Sequence, residues 1–191
     1  MHSKAQQGFL SKLKGLLHDT RGVGAVEFAI IFPLLLALYI SAFEVTIAYS
    51  IYKRASGAAG TIADIVAQQK TVSKKDLAAV SHVTAAIFAP YSTAGMRIKI
   101  TGISTDSNGN GKVAWSWNET NGQPYTTGSA FNLPTNMRNP GRFFVRTELE
   151  VPHSILRFMT TLETAITPVT LRRDYIFEKR QDEPIAWSED K

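Results

Sequence analysis

Between Glu27 and Glu44 the sequence reads FAIIFPLLLALYISAF, from Phe28 to Phe43, without one charged side chain. This run is a little short of the ~20 apolar residues that cross a bilayer as a helix. Val23 to Ala25 extend it on one side. The weakly polar VTIAYSIY extends it on the other, to Tyr52, and Lys53 and Arg54 close it. At ~1.5 Å rise per residue, a helix from Val23 to Tyr52 would be about 45 Å long. That length crosses the hydrocarbon core and projects beyond it. Pro33 lies inside the run. A proline removes one backbone donor and can kink a helix, which transmembrane helices tolerate.

The helix is expected to continue past Tyr52. Ala55, Ala59, Ala63 and Ala67 are spaced four apart and share one helical face. Such a stripe lets another helix approach closely. Alanine is also simply a good helix former, and the pattern fits both readings. A second helix is predicted to start at Ser73, where Ser73 and Asp76 have the spacing of a capping box, with Asp in place of Glu or Gln. Leu77, Val80, Val83, Ile87 and Phe88 then recur at helical spacing, and Pro90 ends the segment. This reads as an amphipathic helix facing a core.

After Pro90 the period changes to two. Met96, Ile98 and Ile100 alternate with Arg97, Lys99 and Thr101, and Val113, Trp115 and Trp117 line one face of the next strand. The intervening DSNGNG predicts a hairpin with a longish loop. Residues 119–142 are rich in Asn, Gly, Thr and Pro and read as a long loop. Phe143, Val145, Thr147, Leu149 and Val151 alternate again, as do Val169, Leu171, Arg173, Tyr175 and Phe177. The expectation is an α+β domain over residues 70–179, with an antiparallel sheet of about four strands on the second helix. Residues 180–191 read as a charged, frayed tail.

Composition narrows the function. The 191 residues suit one modest domain plus an anchor. Without cysteine there is no disulfide scaffold, thiol nucleophile or thiolate metal site. Part of the net charge of +5 comes from Lys4, Lys12, Lys14 and Arg21 against Asp19. The rest is scattered, as at Lys74–Lys75 and Arg172–Arg173, in the manner of a solvated surface. No basic stripe is interleaved with aromatics, so nucleic-acid binding finds no support. Asp106, Asn108, Asn110 and Gly111 match the first half of a calcium loop, but Trp117 stands where the bidentate Glu belongs. A plain polar turn is expected there. His2, His18, His82 and His153 have no metal-ligand spacing. Neither catalysis nor a cofactor is expected, since no phosphate loop, G-x-S-x-G or H-E-x-x-H occurs.

The basic residues before the apolar run fit a secretory signal peptide, but the run is long and no small-residue cut site comes after it. A different arrangement opens the run: Arg21-Gly22-Val23-Gly24-Ala25-Val26-Glu27-Phe28. This resembles the processing site of type IV pilins. In that family a prepilin peptidase cuts after a glycine, and the mature chain carries a glutamate at its fifth position. Counted from Val23, the fifth residue is Glu27, followed by the aromatic Phe28. More narrowly, RGVGAVEFAIIFPLLLALYISAFE resembles the N-terminus of the TadE/TadG-like proteins of the Tad (tight adherence) pilus system. So does the continuation YKRASGAAGTIADIVAQQ. The resemblance covers about residues 20 to 70.

The resemblance implies a minor pilin or pseudopilin that is processed between Gly22 and Val23 and takes part in pilus assembly. Residues 1–22 would be a cytoplasmic leader, 23–69 the membrane helix and its extension. The implied partners are the prepilin peptidase, other pilus subunits, the inner-membrane assembly platform and the membrane itself. Glu27 would pair with the new α-amino group of a neighbouring subunit. A carboxylate at the edge of an apolar helix is costly unless paired or hydrated, and Val23 lies one turn away, so pairing within the chain is a further possibility. Glu44 is expected to sit hydrated at the interface. Basic residues before the span favour an N-terminus in the cytoplasm and a domain in the periplasm. The alternative is a single-pass protein whose outer domain binds or senses a ligand.

Overall fold

The computed structural model describes residues 22–154, 169–180 and 183–189. The expected leader falls outside them except for Gly22, as do His2, His18 and part of the charged tail. The chain forms two units, Met1–Val45 and Thr46–Lys191.

Helix α1 spans Val23–Ala67 and passes through Pro33 without ending. In the first unit all side chains from Val23 to Tyr39 are exposed, Phe28, Leu34 and Leu38 among them. Among the described residues no protein surface covers this segment, and it is long and apolar enough to cross a membrane. The Ser41 hydroxyl donates to the Ala37 carbonyl at 2.8 Å. A hydroxyl satisfied inside its own helix can enter hydrocarbon at little cost.

The second unit is an α+β domain. From Ile51 onward α1 turns one face inward, burying Ala55, Ala58, Ala59, Ile62, Ala63 and Val66. Short strand β1 (Thr71–Val72) leads to α2 (Lys74–Phe88). Ser73 and Asp76 form the expected capping box: the Ser73 hydroxyl accepts from the Asp76 N–H, and the Asp76 carboxylate accepts from the Ser73 N–H at 3.0 Å. A cap of this kind stabilises a helix by about 1 kcal/mol. The buried face of α2 is Leu77, Thr84 and Phe88, with Val80 and Ile87 packed beside it. Val83 is 46% exposed, which corrects its assignment to the inner face. The tighter Leu77–Val80–Thr84–Phe88 line leaves it on the helix flank.

The antiparallel sheet has five strands in the order β4-β3-β2-β5-β6: β2 Arg97–Thr105, β3 Gly111–Asn118, β4 Ala130–Phe131, β5 Phe143–His153 and β6 Val169–Glu178. One face carries Ile98, Ile100, Trp115, Trp117, Phe143, Val145, Leu149 and Val151 into the core with the helices. The other face is also covered. Ile103 and Phe144 are buried with Leu133, and Phe131, Met137 and Ile176 pack around them. Residues 119–142, expected as a plain loop, therefore form a flap holding β4 and a 3₁₀ turn at Thr135–Met137. Thr105 fastens it: its hydroxyl donates to the Asn139 carbonyl at 2.7 Å and accepts from the Arg142 N–H at 2.8 Å.

A register shift between Gly102 and Ile103 sets Val113 opposite Ile103, out of line with Trp115. The tryptophan face is thus Trp115 and Trp117. The C-terminal segment is a further correction to a frayed tail. β7 (Ala186–Trp187) pairs in parallel with β1, Ile185 is 2% exposed, and the Trp115 indole N–H donates to the Ile185 carbonyl at 2.9 Å. The charges around it hid one apolar anchor.

Gly102 is where the sheet has no room for a side chain. A Cβ there would lie 2.8 Å from the Phe143 ring and closer still to Trp115. Gly102→Ala is expected to destabilise the protein by about 1–3 kcal/mol through overpacking. Denaturant unfolding of the two proteins measures this, and unchanged stability would mean that the Trp115 ring moves aside freely.

Candidate processing and assembly site

The motif singled out in the sequence sits at the start of α1. Val23 is the first residue of the helix and Gly22 stands immediately before it. Among the described residues nothing lies within 4 Å of a Cβ built on Gly22, and the same is true at Gly24. Neither glycine has a positive φ. Among the described residues, neither space nor backbone angle demands glycine at these two positions. Glycine inside a helix costs about 1 kcal/mol relative to alanine, so Gly24 is an unforced cost to the fold.

Val23, Glu27 and Phe28 are all exposed. Phe28 packs on Phe32 one turn on, with ring centroids 5.4 Å apart. Glu27 lies four residues from Val23, on the same helical face. Glu44, at the other end of the apolar run, is half-buried.

The alanine stripe lies elsewhere. Ala55, Ala59 and Ala63 are 0% exposed and Ala67 is 5% exposed, all within the core of the domain. In this arrangement the stripe lies in the core of the chain's own domain, in one cluster with Leu77 and Phe88 of α2. Small residues bring α1 close to β6 here: a Cβ on Gly60 would lie 3.7 Å from the Tyr175 ring.

The C-terminal end of α1 is held by a buried lysine that sequence reading missed. Lys179 is 3% exposed, and its ammonium donates to the Gln69 carbonyl just beyond the helix at 2.9 Å. Desolvation holds its pKa below the ordinary value, against an opposing pull from Glu183. No pattern in the sequence marks this lysine, because it comes one residue after the alternation of β6 ends.

The calcium-like loop is turned on itself. One Asp106 carboxylate oxygen accepts from the N–H groups of Asn108 and Asn110, each at 2.9 Å. These backbone bonds, that of Asn110 foremost, lower the Asp106 pKa. Among the described residues no group of three or more His, Asp or Glu side chains is placed to hold a metal ion. A cavity of about 550 Å³ between α1 and β6 is lined by Asp64, Ala67, Gln68, Phe177 and Arg180.

Residues 22–64 match the family model described as TadE-like protein. The match opens on Gly22, takes in both glutamates and the apolar run, and ends at Asp64; it does not extend to α2 or the sheet. Over this segment the chain is similar to that family, in agreement with the resemblance carried by RGVGAVEF and the apolar run after it. No curated protein and no solved structure matches the chain.

Lys179 gives a pH test of how α1 is secured. Its lowered folded pKa means that the unfolded chain binds the proton more tightly. Stability should therefore rise with pH between the lowered value and 10.5, and fall as pH drops through the lowered value. In Lys179→Met this contribution is absent. The difference in unfolding free energy between the two proteins, followed by urea titration across that window, should change with pH in this direction; a constant difference would show that Lys179 titrates normally.

Proposed function

We propose that the protein is a minor pilin or pseudopilin of a Tad-type pilus, taking part in pilus assembly for surface adhesion. α1 anchors it in the inner membrane with its N-terminus in the cytoplasm and the α+β domain in the periplasm. The observation that carries this reading is a glycine on which no described residue places a steric demand, at the point where the apolar helix begins. A glycine that meets no steric demand among the described residues is free to serve an outside reader, and a peptidase that accepts only a small residue at its cut is such a reader. The TadE-like match beginning at the same residue supports it.

In this reading the prepilin peptidase cuts between Gly22 and Val23. The new α-amino group is mostly protonated near neutral pH. Glu27, exposed one turn away, pairs with the amino terminus of a neighbouring subunit during assembly. Other pilus subunits and the inner-membrane assembly platform are the partners. The domain gives a ligand-sensing alternative no comparable observation, because the residues around its cavity do not converge on one chemistry.

The native chain, Gly22→Leu and Glu27→Ala are expressed in a host with a working Tad system. The native mature protein should begin at Val23. Gly22→Leu should remain at precursor size. Glu27→Ala should be cut and inserted but should form few pili. N-terminal mass spectrometry, gel mobility and microscopy read these outcomes. A native N-terminus other than Val23 removes the main support of the reading, and normal pili from Glu27→Ala would refute the pairing role alone.

A further inference from the structure

Two cation–aromatic pairs lie where α1 leaves its apolar stretch. The Arg173 guanidinium stacks over the Tyr52 ring, 3.8 Å from its centroid, and the Arg54 guanidinium lies 5.4 Å from the centroid of Tyr91. Arg54 also donates through one nitrogen to the carbonyls of Ile87 and Ala89, both at 3.0 Å. Among the described residues, its other N–H groups remain for an outside acceptor. Lys53 beside it is exposed.

Strand register shows that further cations belong to the same end of the sheet. Arg97 pairs with Glu150 and Glu150 with Arg172, one row from Leu149 and Arg173. Arg97 is exposed. The carboxylates at this end are already engaged: Glu150 takes Arg172 at 2.7 Å, and Glu119 accepts the Ile98 N–H at 3.0 Å. Among the described residues, Lys53, Arg54, Arg97, Arg172 and Arg173 outnumber the carboxylates Glu119 and Glu150, so this end carries a surplus of positive charge, set among tyrosines.

Chain position supplies the partner. Val23 to Val45 is about 34 Å of helix, close to the thickness of a bilayer's hydrocarbon core. Tyr49, 64% exposed, and Tyr52 follow Val45 by four and seven residues, where a span of that length gives way to the headgroup layer. Tyrosine belongs at that layer, and the long stems of Lys and Arg reach back into it.

We infer that this end of the domain, Lys53, Arg54, Arg97 and Arg173 with Tyr52 and Tyr91, docks on the anionic phospholipid headgroups of the membrane that α1 crosses. The inference rests on α1 being a membrane span, as in the reading above. Docking holds the domain against the bilayer before any assembly step lifts it away.

The chain has no cysteine, so single-cysteine probes report one site each. Ser92→Cys places a fluorophore beside Tyr91; Ser107→Cys places one in the turn at the opposite end of β2. The full chain is reconstituted into vesicles of phosphatidylcholine, with or without phosphatidylglycerol, that carry a headgroup quencher. Vesicle flotation first reports insertion, and a chain that fails to float refutes the membrane span itself. In floated samples, quenching at Ser92→Cys should be stronger with phosphatidylglycerol and weaken in high salt, while Ser107→Cys stays unquenched. Adding Lys53→Gln and Arg97→Gln, both at exposed positions, should lower the docked-to-undocked ratio about fivefold for each cation removed. Equal quenching in the two bilayers, equal quenching at the two probes, or no effect of the glutamine variants would each overturn the proposal while leaving the span intact.

Discussion

From Ile51 to Ala67, α1 turns a face of alanine, isoleucine and valine into the core of the domain, and the rest of the structure depends on that burial. Ala55, Ala58, Ala59, Ile62 and Ala63 are each 0% exposed. They are surrounded by the sheet face of Ile98, Ile100, Trp115 and Leu149 and by Leu77 and Phe88 of α2. Without α1 this sheet would present a wide apolar surface to water, which soluble proteins avoid. The same helix is bare from Val23 to Tyr39. One continuous element thus serves two solvents, with lipid-compatible side chains in its first half and close-packed small ones in its second.

The polar groups around this core sit where burial would otherwise leave backbone groups unpaired. Arg54 takes two carbonyls at the end of α2, Lys179 takes the Gln69 carbonyl beyond α1, and the Trp115 indole takes the Ile185 carbonyl. Helix ends leave such carbonyls without partners inside the helix. On the opposite face the Tyr125 hydroxyl donates to Glu148 at 2.6 Å, and Arg146 bridges Glu148 and Asp174 at 3.3 and 3.4 Å. Burial raises the Tyr125 pKa, with the Glu148 hydrogen bond acting in the same sense. That hydroxyl stays a donor, and the flap stays tied to the sheet.

Much of the layout was legible because it rests on periodicity. Four-residue spacing in α1 and α2, the Ser73–Asp76 cap and the alternation of β2, β5 and β6 all arise from local geometry that the sequence records directly. What escaped reading depended on distant partners. Val113 belongs with Trp115 by spacing, but the register shift at Gly102/Ile103 moves it opposite Ile103. Ile185 looks like one apolar residue in a charged tail, yet Trp115, 70 residues earlier, gives it a partner. The flap over Ile103 and Phe144 is built from Phe131, Leu133 and Met137, too widely spaced to announce an element. Of the candidate site, the Gly22–Phe28 motif could be read at once. Lys179, Arg173 on Tyr52 and Arg54 on Tyr91 could not, because each joins segments far apart in the chain.

The contacts of α1 and β6, and of the residues just beyond their C-terminal ends, run in the same order along the chain: Tyr52 with Arg173, Gly60 with Tyr175, and Gln69 with Lys179. Helix and strand therefore lie side by side and point the same way. A force applied along α1 would load these contacts in shear, all at once, instead of peeling them apart one by one. Shared loading resists a pull far better than sequential rupture does. The domain is consequently fastened to this part of its helix in a geometry that resists a pull along the helix.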